Sequence, residues 1–204
     1  MTERRRIGLF GGTFDPIHLG HLAAAQEAAD RLALDVVEFI PAHQQPLKER
    51  APRVSDDERL AMVRAATADN PCFRVSTIEL ERPAPSYTME TLRLLRETYG
   101  ADTELFFLLG VDAANTLDRW LGAAEILRLV RLVVMSRAEV RAPDWAMLET
   151  LDPRARDHVE TLLVPAIDVS SSDLRDRVAA GRSIRYQVPE AVRVLIEEQS
   201  LYKG

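Results

Sequence analysis

Ile7-Gly8-Leu9-Phe10 runs straight into Gly11-Gly12, and a helical repeat takes over near His18, with Leu19, Leu22, Ala23, Ala25, Ala28, Ala29 and Leu32 at helical spacing. A short apolar strand that turns through glycines into an amphipathic helix is the opening of a strand–helix–strand unit. The same alternation continues along the chain. Strands are expected at Val36 to Ile40, Phe73 to Leu80, Glu104 to Leu109, Leu132 to Met135 and Leu162 to Val164. Helices are expected from Ser55 to about Asp69, Thr88 to Tyr99, Ala113 to Leu129 with a break near Gly122, Ser170 to Ala180 and Pro189 to Gln199. Ser55-Asp56-Asp57-Glu58 is a good helix start, acidic in its first turn, and Gly100 stands where a helix would end. Ala42 to Val54 reads as a long polar loop, and Arg137 to Asp157 as a loop with a short helix on the rim. Strands alternating with helices predict a doubly wound parallel sheet, three layers in αβα order, with ligands at the carboxyl ends of the strands. The informative loops are then those after the first, fourth and last strands.

Composition narrows the function. The 204 residues suit one α/β domain, and no apolar run is long enough for a membrane span. No signal-peptide hydrophobic region follows Arg4-Arg5-Arg6, so the expected location is cytoplasmic. A single cysteine, Cys72, excludes an internal disulfide framework. The net charge of −6 argues against broad nucleic-acid binding, yet a local cluster of donors is enough for a nucleotide. A homo-oligomer is compatible with all of this.

Two segments carry chemistry. The first is Gly11-Gly12-Thr13-Phe14-Asp15-Pro16-Ile17-His18-Leu19-Gly20-His21. Its glycines allow close backbone approach, and the helix start offers open N–H groups to a phosphate. His18 and His21, three apart, share one helix face, and imidazole donates while neutral and becomes a cation beside phosphate. Two ligands without a third or fourth are weak evidence for a metal site, and neither a Walker A sequence nor Gly-x-Gly-x-x-Gly occurs. The second segment is Ser170-Ser171-Ser172-Asp173-Leu174-Arg175. Ser170 and Asp173 have capping spacing, but three serines exceed what one cap requires, and Arg175 completes an anion-binding corner.

Residues 11–21 resemble the signature of the nucleotidyltransferase superfamily with a His-x-Gly-His motif, similar in fold to the catalytic domains of class I aminoacyl-tRNA synthetases. The resemblance implies that Gly11, Gly12, Thr13, Phe14, His18 and His21 meet the ATP phosphates. It also implies that Ser170, Ser171, Ser172 and Arg175 do so from the facing side, with His18, His21 and Arg175 as the catalytic donors. Further segments, Ser86-Tyr87-Thr88, Leu109-Gly110-Val111-Asp112, Trp120 and Tyr186-Gln187-Val188-Pro189, resemble the bacterial nicotinate-mononucleotide adenylyltransferases over essentially the whole chain. That resemblance implies one domain, residues 1–204, in which residues 170–204 complete the ATP site. Tyr87, Thr88 and Trp120 would hold the acceptor, and Gly110 and Asp112 would line the adenosine side. The implied reaction is adenylyl transfer from ATP to nicotinate mononucleotide, with Mg²⁺ accompanying ATP and no metal site built from protein ligands alone. One departure stands out: the family's Pro-Pro-His-Lys is replaced by Gln45-Pro46-Leu47-Lys48, which leaves Lys48 for a phosphate. A phosphopantetheine or nicotinamide-mononucleotide transferase of the same fold, and a non-catalytic nucleotide sensor, are the alternatives.

Overall fold

The computed structural model describes residues 4–44, 51–137 and 142–203. Its strands are β1 (Arg6–Gly12), β2 (Val36–Pro41), β3 (Phe73–Val75), β4 (Glu104–Gly110), β5 (Arg131–Arg137) and β6 (Val159–Val164). They form one sheet in the order β3-β2-β1-β4-β5-β6, every neighbouring pair parallel. The chain winds outward from β1 to β3, returns to β4, then winds the other way. The switch in direction falls between β1 and β4, so a crevice opens beyond their carboxyl ends.

Alternation along the strands sorts the core into two layers. Ile7 and Leu9 of β1, Leu105, Phe107 and Leu109 of β4, and Leu132 and Val134 of β5 face one side. There they meet α3 (Thr88–Tyr99), α4 (Val111–Ala114), α5 (Ala123–Leu129), α6 (Trp145–Leu151) and α7 (Ala155–His158). Phe10, Phe106, Leu108, Val133 and Met135 face the other side. They pack against α1 (Leu19–Arg31), α2 (Asp56–Thr67), α8 (Ser171–Ala179) and α9 (Glu190–Glu198). Because both faces are covered, the strands read as near-continuous apolar runs. Among the described residues no helix is long and apolar enough to cross a membrane.

Two expectations need correction. The strand expected over Phe73 to Leu80 stops at Val75, after the Ser76 N–H reaches the Phe39 carbonyl at 2.9 Å. From there the chain turns, with Glu81 N–H on the Thr77 carbonyl and Thr77 Oγ1 donating to Glu81. Polar side chains that satisfy the backbone locally compete with the ladder, and at this sheet edge they prevail. The helix expected over Ala113 to Leu129 is three pieces: α4, a 3-10 turn at Leu117–Arg119, and α5. Leu117 and Trp120 are three apart, a spacing that both helix types share. Gly122, at φ +69°, sets the entry to α5, and a Cβ there would meet Met89 at 2.8 Å.

Candidate active site

β1 delivers Gly11 and Gly12 to the crevice, and α1 begins at once with His18 as its N-cap. The connecting loop holds Phe14 at φ +49°, an uncommon conformation for a bulky residue. Its ring is only 2 % exposed and packs edge-on to Phe10 and to His21. The Phe14 side chain therefore supports His21 from beneath, and a phosphate could meet this residue only through its backbone.

The two histidine rings stack at 3.7 Å. The His18 backbone N–H donates to His21 Nδ1 at 3.3 Å. With Nδ1 accepting, a neutral His21 carries its proton on Nε2. His18 is buried, 3 % exposed, and its pKa falls from 6.5 to about 4, first through burial and then through the charge of Arg137. Its Nδ1 has no hydrogen-bond partner among the described residues. The glycine between the histidines has a steric reason: a Cβ on Gly20 would lie 3.1 Å from His18 Cε1 and Nδ1.

The second motif reaches the first from the far end of the chain. Ser170 caps α8, accepting from Asp173 N–H at 3.1 Å. Ser171 Oγ donates to the Pro16 carbonyl at 2.9 Å. Arg175 donates to the Asp15 carbonyl at 2.6 Å and to Ser172 Oγ at 3.1 Å. The fold thus gathers Gly11, Gly12, Thr13, His18 and His21 beside Ser171, Ser172 and Arg175, while the Ser170 hydroxyl is engaged in capping.

Two organising residues escaped the sequence reading. Asp15, 5 % exposed, accepts from Arg53 N–H at 2.8 Å and from Tyr202 Oη at 2.8 Å, with Arg175 Nη1 at 3.7 Å. Burial, then the neighbouring Asp15 carboxylate, pushes the Tyr202 hydroxyl well up. Arg59 is fully buried and donates to the Thr13 and Ala42 carbonyls, both at 2.6 Å, and to Asp56 Oδ1 at 2.5 Å. It clamps the loop after β1 to the loop after β2. A signal existed for Arg59, which falls on the helical stripe of Met62, Val63 and Ala66.

Beside this corner lies a pocket of about 570 Å³ whose walls include Gly11, Gly12, Tyr87, Thr88, Gly110 and Trp120. Tyr87 is the N-cap of α3, so the open N–H groups of that helix start face the pocket region. Trp120 stands edge-on to Phe107 at 6.3 Å. Asp112 sits exposed in the first turn of α4 and is not among the pocket walls, and Lys48 lies outside the described residues. A second cavity of about 560 Å³, walled by Arg96, Arg128, Arg131, Arg154, Asp152 and His158 among others, opens at the amino ends of β4 and β5 and shares no residue with either motif. Among the described residues no group of three or more His, Cys, Asp or Glu side chains is arranged to hold a metal ion.

The cytidylyltransferase-like family matches residues 9–177, a span that contains both motifs. The "probable nicotinate-nucleotide adenylyltransferase" of Roseiflexus sp. strain RS-1 is 49% identical over 197 residues, covering 97% of this chain and 98% of its own. The chain belongs to the nicotinate-nucleotide adenylyltransferases of the cytidylyltransferase-like family. A relative of the same name from Shouchella clausii is 44% identical over 198 residues, with 97% of each chain covered. The fold is similar to that of the Plasmodium falciparum nicotinic acid mononucleotide adenylyltransferase complexed with NaAD. The TM-score is 0.74 at 16% identity, over 97% of each chain. Nucleotidyltransferases of this family typically use a divalent metal with ATP, and the candidate site offers nitrogen and hydroxyl donors.

Proposed function

We propose that this nucleotidyltransferase moves the adenylyl group of ATP onto the 5′-phosphate of nicotinate mononucleotide, giving nicotinate adenine dinucleotide and pyrophosphate in NAD biosynthesis. The observation that carries the reading is the meeting of two donor motifs beside the pocket at the start of α3. In that arrangement ATP phosphates lie between the His18–His21 stack and the Ser171–Arg175 corner. The acceptor enters the neighbouring pocket, its pyridine ring against Trp120 and its carboxylate toward the N–H groups of the α3 start at Tyr87 and Thr88. Residues 170–204 act within the same unit, completing the ATP site.

The acceptor phosphate, with a second pKa of about 6, is already mostly a dianion at neutral pH, so its oxygen attacks the α-phosphorus without a general base. The α–β bridging P–O bond breaks and pyrophosphate departs. Negative charge grows on the leaving oxygens, and the residues here answer it by positioning and by hydrogen bonding. His18, uncharged before ATP arrives, donates and gains cationic character as charge builds beside it. Arg175 supplies a permanent charge. Mg²⁺ would enter with ATP, held by phosphate oxygens and water, and would neutralise the triphosphate.

The test is pyrophosphate release with nicotinate mononucleotide, nicotinamide mononucleotide and phosphopantetheine at equal concentration. Strong preference for the nicotinate form is expected, and preference for another acceptor overturns the pocket assignment. His18→Ala should lower kcat by about 10²–10³-fold, the cost of removing one donor to transition-state charge, with ATP affinity little changed. Near-normal turnover in that variant would refute the role of His18.

A further inference from the structure

Among the described residues Glu79 is the only carboxylate in the walls of the acceptor pocket, and it is 8 % exposed. It belongs to the turn that cuts β3 short. Its Oε1 accepts from Thr91 Oγ1 at 2.9 Å, and Thr91 Oγ1 in turn accepts from Arg82 Nη2. Arg82 is fixed by donating Nε to the Ile78 carbonyl at 3.0 Å, with Glu90 3.7 Å from its other terminal nitrogen. The result is a directed chain, from guanidinium to hydroxyl to carboxylate, that ends on an acceptor. Thr91 is 2 % exposed, and its own N–H bonds the Tyr87 carbonyl at 3.2 Å. Tyr87 is the N-cap of α3, so holding Thr91 holds the turn that opens on the pocket. On the other side Ser86 N–H reaches the Gln44 carbonyl at 3.0 Å, which ties the same segment to the loop after β2.

We propose that Glu79 is a positioning residue for the acceptor: through Thr91 it fixes the first turn of α3 against the sheet, and so sets how tightly the pyridine nucleotide is held. The inference rests on the reading of the pocket given above. It touches neither the histidine stack nor the serine–arginine corner, so its effect belongs to the acceptor and not to ATP. The groups facing the Glu79 carboxyl are Thr91, Arg82 and Ser86, with Glu90 beyond Arg82. Burial pushes the carboxyl up, against the Thr91 bond, the Arg82 charge and the Ser86 hydroxyl.

The experiment is steady-state kinetics at neutral pH with nicotinate mononucleotide and ATP varied separately, on the wild type and Glu79→Ala, Glu79→Gln and Thr91→Val. Losing a hydrogen bond to a charged acceptor corresponds to about a tenfold change or more, so Glu79→Ala and Thr91→Val should raise the acceptor KM by at least about tenfold, with the ATP KM and kcat within about twofold. Glu79→Gln, whose amide oxygen still accepts from Thr91, should keep the wild-type KM at neutral pH. An unchanged acceptor KM in Glu79→Ala, or an equal rise for ATP, overturns the inference. If Glu79→Ala does not fold, Thr91→Val decides, and an unchanged acceptor KM in that variant refutes the inference. Wild-type enzyme silent toward nicotinate mononucleotide would instead sink the pocket reading, and this inference with it.

Discussion

Replacing Tyr202 by Phe removes one hydroxyl and leaves the ring that packs near Met62. Tyr202 Oη donates to the buried Asp15 carboxylate at 2.8 Å, and among the described residues Asp15 keeps Arg53 N–H and the more distant Arg175 guanidinium as further partners. A hydrogen bond to a charged group contributes about 1.5–3 kcal/mol, and a buried carboxylate that loses a donor falls at the costly end of ordinary substitutions. The expected loss is about 2 kcal/mol. For a domain of this size 1 kcal/mol moves Tm by roughly 2–4 °C, so Tyr202→Phe should melt about 4–8 °C lower. Urea titration should show the same loss as a shift in midpoint at unchanged slope. Tyr186→Phe is the control, because Tyr186 is 84% exposed. A Tyr202→Phe protein within about 0.5 kcal/mol of the wild type, the ordinary range for surface changes, would show that Asp15 does not depend on the chain end, and the hub would have to be abandoned.

Two further outcomes follow from His18. In Gly20→Ala the new Cβ meets the His18 ring at 3.1 Å, so the ring must yield by a few tenths of an ångström while the helix gains a better former. Stability by urea titration should stay within about 1 kcal/mol while kcat falls about tenfold or more, since small misplacements of a catalytic group are expensive; unchanged kcat would mean that Gly20 does not set the ring position. The second concerns pH. The His18 pKa is lower folded, about 4, than unfolded, 6.5, so between these values the unfolded chain binds more protons and stability rises with pH. The full span is worth on the order of 3 kcal/mol, and the difference in unfolding free energy between wild type and His18→Gln should trace it between pH 4 and 6.5. A pH-independent difference would remove the case for a buried neutral imidazole.

The parts of the site that could be read from the sequence are those whose chemistry is local. Gly11 to His21 and Ser170 to Arg175 each contain donors, glycines or caps at a helix start, and each helix start can be located from apolar spacing. The alternation of strands and helices also foretold the parallel sheet. What the sequence concealed depends on partners far away. Asp15 reads as one polar residue in a turn until Tyr202 and Arg175 arrive from the end of the chain. Glu79 sits in an alternating run that imitates a strand, and the bonds between Thr77 and Glu81 show that the run has already turned. Arg59 was different: a charge on the apolar stripe of α2 is visible in the sequence, but its acceptors, the Thr13 and Ala42 carbonyls, are not.

In the reading proposed above, the stacked histidines give the site a phosphate contact whose charge is not permanent, beside the fixed charge of Arg175. Two imidazolium rings at 3.7 Å would repel by about 4 kcal/mol at an effective dielectric of 20, which disfavours both rings being cationic at once. Burial keeps His18 neutral, and the Arg137 charge adds to that effect. A bound triphosphate reverses the balance, because its charge favours an imidazolium that the empty corner disfavours. The cationic form is thus favoured as negative charge accumulates, which is the differential that lowers a barrier and not merely a dissociation constant. Arg175, anchored on the Asp15 carbonyl, gives constant attraction, and the histidines give the part that grows. Since the anchor is held in place by contacts from both ends of the chain, folding has already oriented these donors before ATP binds, and little reorganisation is left for the reaction itself.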